Sequence, residues 1–187
     1  MKILPLFAVL FLLLFSCSSQ SDEAVKNSIF KECLKYKEIQ LINKTVELFE
    51  KQVNKRYEAN QYKRFLIEMK GFAIEPDFFL KSELIQYLLE NKDSDAFKAF
   101  WQEEAGTFSI QVNGNYMNCL KQKSTSETLI EIINTLQKVP NISPGLVANT
   151  LEAEISEEDY NEDAIKTFIA LNICAEFALN IHSRFNE

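Results

Sequence analysis

Residues that could support catalysis or metal binding are few in this chain, and their spacing suits neither. His182 is the only histidine among the 187 residues, and no cysteine or aspartate close to it in the sequence completes a metal site or a catalytic triad. A cluster of carboxylates lacks the glycine that a calcium loop requires, so a solvated helix start, where acids complement the helix dipole, explains it better. We therefore expect no metal site, no catalytic residue and no cofactor. The clustered carboxylates are Glu152, Glu154, Glu157, Glu158, Asp159, Glu162 and Asp163.

A second group, the aromatic residues, could form a ligand site. Glu103 and Glu104 stand close to Trp101, but a glycosidase needs two carboxyls at a set separation across a cleft, which adjacent residues do not establish. No glycine-rich phosphate loop, G-x-S-x-G or H-E-x-x-H motif occurs. The sequence therefore predicts a protein that is not an enzyme. We expect this set of aromatic residues, with Trp101, to belong to the core, and its members are Phe72, Phe78, Phe79, Phe97, Phe100 and Trp101.

The first 23 residues have the order of a secretory leader. Lys2 gives a positive start, residues 3–15 are almost all apolar, and Leu14-Phe15-Ser16-Cys17 closes the run. About 13 apolar residues span about 20 Å, too little for a bilayer core of about 30 Å, and an ordinary secretory signal would carry an A-x-A-like site. The closing segment resembles the lipobox of bacterial lipoproteins. That resemblance implies cleavage before Cys17 and acylation of its thiol and amine, which anchors a protein durably.

The same resemblance implies the location of the mature chain. Residues 1–16 are the expected signal peptide, residues 17–24 the lipidated cysteine and a flexible tether, and residues 25–187 a helical domain. Ser18 resembles the signal that sends lipoproteins to an outer membrane. The acidic stretch 18–23 is similar to tethers that export lipoproteins to the cell surface, although a plain linker is favoured. We expect a lipid-anchored protein of the bacterial envelope, at the periplasmic face or the cell surface.

Net charge limits the classes of binding partner, and the cysteine content limits the possible disulfides. The net charge is −7 and no basic patch occurs, which argues against nucleic acid and against electrostatic docking on anionic lipid. Cys33, Cys119 and Cys174 remain besides Cys17, and an envelope location permits one disulfide. Cys174 lies in an apolar run typical of a buried thiol. Cys33 and Cys119 have polar flanks and are the favoured pair, although spacing leaves open whether their Cα atoms approach.

Hydrophobic periodicity predicts helices along most of the mature chain. Residues 25–57 carry apolar residues at a mean step of about 3.6, which indicates a long first helix. Residues 62–69 form a short second helix that ends at Gly71. Pro76 opens a third that continues through Leu88.

The second half of the chain continues this pattern. A fourth helix, capped by Asp93 or Ser94, is expected around Phe97, Phe100 and Trp101. Ser126 caps another that Pro140 ends. Ser143-Pro144 opens the next, which runs to about Ile155. Ser156 and Asp159 form a capping pair for a final helix that is apolar nearly all round over residues 164–181 and should be buried.

Residues 106–119 are ambiguous. Alternating apolar residues before Asn113-Gly114 are typical of a hairpin, whereas the competing interpretation is an irregular loop to Asn115 followed by a helix through Tyr116 and Leu120. We prefer the second, because an isolated hairpin is marginal. The predicted fold is therefore all-α, a single bundle of about six or seven helices with at most one small hairpin.

The expected function is that of a non-enzymatic envelope lipoprotein that binds a protein partner or has a structural role. Two alternatives stay open. An acidic lipoprotein could neutralise a basic toxin, as lipoprotein immunity proteins do, or the aromatic-rich bundle could carry an apolar ligand.

Overall fold

Helices account for most of the structure, which is a computed structural model describing residues 28–139 and 142–185. The predicted signal peptide, Cys17 and the tether lie outside the described residues. Within those ranges the chain forms nine α-helices and one two-stranded sheet. The helices are α1 Tyr36–Arg56, α2 Gln61–Lys70, α3 Pro76–Leu80, α4 Glu83–Glu90, α5 Asp95–Lys98, α6 Asn115–Lys123, α7 Glu127–Lys138, α8 Pro144–Glu154 and α9 Asp163–Phe185. The strands are β1 Trp101–Glu104 and β2 Thr107–Ile110.

The first helix begins later than its periodicity predicts. Residues 29–34 form turns, in which the Cys33 and Leu34 N–H groups both donate to the Phe30 carbonyl. These turns bury Phe30 and Leu34. Helix α1 then starts at Tyr36, where the Glu38 carboxylate accepts a 2.9 Å hydrogen bond from the Lys35 N–H and so satisfies a donor at the helix start.

The predicted third helix is two helices. Ser82 lies between α3 and α4, and its hydroxyl accepts a hydrogen bond from the Ile85 N–H at 3.1 Å. A serine in this position caps a new helix instead of continuing the old one. This break divides one predicted helix into two and so adds a helix to the bundle that the sequence predicts.

The all-α prediction is wrong in one place, because the chain contains a β-hairpin. This hairpin comes before Asn113-Gly114, where the sequence pattern is typical of one. Strands β1 and β2 pair antiparallel with Trp101 opposite Ile110 and Glu104 opposite Thr107. Ala105 and Gly106 form the turn with φ angles of 48° and 75°, the two positive values of a type I′ turn. Trp101 therefore belongs to β1, and the helix that was expected to hold it ends at Lys98. Gly114 instead precedes α6 as its N-cap.

Helix α9 stabilises this hairpin from the side. The Asn180 amide accepts from the Phe108 N–H at 2.7 Å and donates to the Phe108 carbonyl at 2.8 Å. One helical turn earlier, Glu176 Oε2 accepts from the Ile110 N–H at 2.9 Å. Residues i and i+4 of a helix are separated by about 6 Å along its axis, close to the rise of two strand residues. The helix thus pairs the outer edge of β2 as a third strand would, and the hairpin is not isolated.

Helix α9 is also the centre of the core. All its residues from Ala164 to Ala175 are buried except Lys166, and it contacts α1, α4, α8 and β2. Its length and composition would suffice to cross a membrane, but 72% of its most apolar window is buried inside the domain. A π-helical stretch, Ile169–Ala175, turns Asn172 towards α6. There Asn172 accepts a 2.9 Å hydrogen bond from the Tyr116 hydroxyl, which satisfies both buried groups.

Candidate functional site: the groove between α7 and α8

Two capped helices meet along an open groove of about 520 Å³. The Ser126 hydroxyl accepts from the Leu129 N–H at the start of α7, and the Ser143 hydroxyl accepts from the Leu146 N–H at the start of α8. Both N-caps were predicted from the sequence, and the structure confirms them. The floor of the groove is apolar. Its residues are Ile132, Leu136, Ile142, Leu146 and Val147.

Exposed apolar side chains lie in the groove and next to its α8 wall. Leu146 is 56% exposed, and Phe72 in the loop after α2 is 78% exposed. The Phe72 ring lies against Gly145, whose Cβ, if it had one, would be 3.5 Å from the ring Cζ. Phe72 also has a left-handed φ of 51°, which costs free energy for a bulky residue. The prediction that Phe72 belongs to the core is therefore wrong.

The rim of the groove is acidic. Glu131 of α7 and Glu154 of α8 line it, and both side chains are exposed. Within the described part of the chain neither has a cation within 4.0 Å, and no lysine or arginine lines the groove. The site therefore offers apolar contact and two negative charges.

The cysteines occupy the places that their flanking residues suggested. Cys33, in the turns before α1, is joined to Cys119 of α6 by a disulfide with the Cα atoms 5.9 Å apart. That separation lies in the usual range for a disulfide. Cys174 is a buried free thiol in the π-helical stretch, and burial raises its pKa, so it behaves as a small apolar side chain. Cys17 lies outside the described residues.

Trp101 does not form a sugar subsite with the neighbouring glutamates. Its side chain is only 2% exposed, and its ring packs 4.8 Å from Phe97 and 5.8 Å from Phe100 between centroids. Glu103 makes a 2.9 Å ion pair with Lys92. Phe79, Phe97 and Phe100 are buried as predicted, and Phe78 is half-buried against the core.

The acidic cluster is distributed among separate local contacts. Glu152 pairs with Lys70 and Glu157 with Lys63, while Glu162 accepts a 2.8 Å hydrogen bond from the Thr125 N–H. Among the residues that the structure describes, no group of three or more histidine, cysteine or carboxylate side chains is placed to hold a metal ion. His182 lies half-buried on α9.

The prediction that Ser156 and Asp159 cap the last helix is wrong. Ser156 and Asp159 do bond reciprocally, each backbone N–H to the other's side chain at 3.3 Å. They begin a short 3₁₀ turn, Asp159–Asn161, and not the long helix, which starts at Asp163. Glu162, with extended backbone, separates the two.

Sequence reasoning missed Glu176 and Asn180, which pair β2. The available signal was two polar residues at i and i+4 on an otherwise apolar helix, a spacing that puts them on one face. It also missed the groove, although Leu146 next to Gly145 interrupts the polar side of α8. No family model, curated protein or solved structure matches this chain.

Proposed function

We propose that this chain is an envelope lipoprotein, anchored through Cys17, that acts without catalysis by binding an amphipathic helix of a partner protein in the α7–α8 groove. The observation that carries this proposal is the combination of the exposed side chain of Leu146 in the groove with the two unpaired carboxylates of the rim. The exposed ring of Phe72 lies beside them, against Gly145.

Apolar contact would supply most of the affinity. Contiguous exposed apolar side chains on a monomer mark interaction sites, and a groove between two helices matches the ridge of apolar residues at i, i+3, i+4 and i+7 on an incoming helix. Phe72, whose ring lies against Gly145 next to Leu146 in α8, would add an aromatic anchor. Its unfavourable backbone conformation fits a residue held in place for binding.

Charge defines the partner more narrowly. Because Glu131 and Glu154 stand on opposite helices of the groove, a helix with lysine or arginine on both flanks of its apolar stripe would meet a carboxylate on each side. Such pairs favour orientation and rate of encounter more than affinity. The net charge of −7 favours the same kind of partner. A basic toxin neutralised by this protein is one partner of that class.

Photo-crosslinking in native envelopes tests the site. A photoreactive residue replaces Leu146 in the groove or, as the control, Ile67 of α2, which is 42% exposed outside it. The expected result is one partner protein linked only from position 146, through a helical segment with flanking basic residues. Crosslinks to a second copy of this chain, or equal crosslinking from both positions, would refute the proposal.

Charge reversal then tests the rim. A peptide of the crosslinked segment should bind the protein about tenfold more weakly after Glu131→Lys at low salt, and the difference should shrink as salt screens the charges. Glu104→Lys, at an exposed position on the hairpin, is the matched control. The anchor is tested separately, since Cys17→Ala should release the protein from membranes; retention would contradict lipidation without bearing on the groove.

A further inference from the structure

The α7–α8 groove has different side chains at its two ends. Helix α7 lines the groove from Thr128 to Leu136, and helix α8 lines it from Leu146 to Glu154. Each helix therefore borders it for about 12 Å along the helix axis. Residues 139–143 join the two helices, and two helices that are joined by so short a loop form an antiparallel hairpin. The start of α8 thus lies beside the end of α7, and the end of α8 lies beside the start of α7.

The end next to the connecting loop is apolar and carries a cation. Leu146 is 56% exposed there, and Val139, directly after α7, is 54% exposed. The Phe72 ring lies against Gly145 at the same end. Lys138, in the last turn of α7, is exposed, and within the described ranges it has no carboxylate within 4.0 Å. We call this the loop end of the groove.

The opposite end, where α7 begins and α8 ends, is acidic. Glu131 lies about 10 Å from Lys138 along the axis of α7, and Glu154 lies in the last turn of α8. A carboxylate in the last turn of a helix faces the negative end of the helix dipole, which costs free energy. No basic residue in that turn offsets the charge of Glu154. The negative potential at this end, which we call the acidic end, is therefore available to a partner.

A helix that enters the groove has a direction of its own. Its N-terminus carries the equivalent of about half a positive charge and its C-terminus about half a negative charge. The dipoles of α7 and α8 oppose each other, so the side-chain charges determine the potential along the groove. An N-terminus at the acidic end meets Glu131 and Glu154, and the C-terminus of the same helix then meets Lys138. The reverse direction places like charges together at both ends.

We propose that the groove accepts the partner helix in one direction only. The N-terminus and basic residues of that helix lie at the acidic end, and its largest apolar residues lie at the loop end against Leu146 and Phe72. This inference rests on the proposed function and adds a direction to it. Anchors at positions i, i+4 and i+7 of the incoming helix span about 10 Å and match the length of the groove. Basic residues in a first turn oppose the dipole of an isolated helix, so the segment is a poorer helix when free than when bound.

Crosslinking from both ends of the groove measures the direction. A photoreactive residue replaces either Leu146 at the loop end or Thr128 at the acidic end, in native envelopes, and mass spectrometry locates the linked residues of the partner. We expect the residue linked from position 128 to precede the residue linked from position 146 by about seven positions in the partner sequence. The opposite order, or the same residues linked from both positions, would overturn the single direction and leave the proposed function standing. If position 146 links no partner, both proposals are refuted.

A charge swap tests the cause of the direction. A peptide of the linked segment, with one lysine or arginine of its first turn replaced by glutamate, is titrated at low salt against the full chain. Glu154→Lys should bind this altered peptide about fivefold more tightly than the unaltered protein does, because the ion pair is restored with opposite signs. Glu104→Lys, exposed on the hairpin, changes the net charge equally and should bind it as the unaltered protein does. Equal affinity of all three proteins for the altered peptide, or the same gain from both variants, would overturn the proposal.

Discussion

The carboxyl of Glu176 makes the stability of this protein depend on pH in a direction opposite to that of most acids. It lies between α9 and β2 and accepts a hydrogen bond from the Ile110 N–H. Burial raises its pKa from 4.5 to about 7, although the Ile110 hydrogen bond opposes the shift. The folded protein therefore holds a proton on Glu176 that the unfolded chain releases above pH 4.5.

The size of the effect follows from the shift in pKa. Between pH 4.5 and pH 7 the folded state binds more protons than the unfolded state, so the free energy of unfolding falls as the pH rises. A shift from 4.5 to about 7 corresponds to about 3 kcal/mol, reached above pH 7. Below pH 4.5 the group is protonated in both states and contributes no pH dependence.

Glu176→Gln isolates this contribution. Glutamine keeps an oxygen that accepts from Ile110 and has no proton to lose. Urea unfolding at steps from pH 4.5 to pH 8 should show the variant gaining about 3 kcal/mol of stability relative to the unaltered protein across that range. Because every other titratable group is shared, the difference reports Glu176 alone. Glu104→Gln, exposed on the same hairpin, should show a constant difference. A constant difference for Glu176→Gln as well would refute the reasoning.

Three further predictions concern the disulfide, the paired edge of β2 and the N-cap of α7. Replacing both Cys33 and Cys119 by serine opens a link across 86 residues and should lower the free energy of unfolding by about 4 kcal/mol, measured by urea unfolding; a loss below about 1 kcal/mol would contradict it. Asn180→Ala leaves the N–H and carbonyl of Phe108 unpaired and should cost about 1–3 kcal/mol; hydrogen exchange at Phe108 should accelerate, and unchanged exchange would exclude the role assigned to Asn180. Ser126→Ala removes the N-cap of α7 and should cost about 1 kcal/mol, seen as a lower thermal midpoint; a midpoint at or above that of the unaltered protein would argue against the cap.

Local chemistry in the sequence was sufficient to place many helix boundaries. Ser94, Ser126 and Ser143 cap the helices that were predicted to follow them, and Gly71 ends α2. Each serine cap depends on a side chain and a backbone N–H that lie three residues apart, and the glycine end depends on its own backbone, so these features can be read without knowing the rest of the fold. The dominance of helices follows from the same short-range patterns.

Predictions from local sequence were wrong where contacts with a distant segment determine the secondary structure. Asn113-Gly114 is a stronger hairpin signal than Ala105-Gly106, yet the hairpin forms at the latter because Glu176 and Asn180 pair the edge of β2 from about 70 residues away. The turns before α1 bury Phe30 against elements that follow it in the chain. In both places tertiary contacts outweighed a periodic pattern.

The binding surfaces show the same division. The sequence by itself determined the helices that carry Leu146 and Glu131, and the polarity of each residue. It could not determine that Phe72, in the loop after α2, would remain exposed against Gly145 of α8. Helix formation depends on neighbours a few residues away, whereas a groove or cleft exists only after remote helices have packed and left particular side chains without a partner.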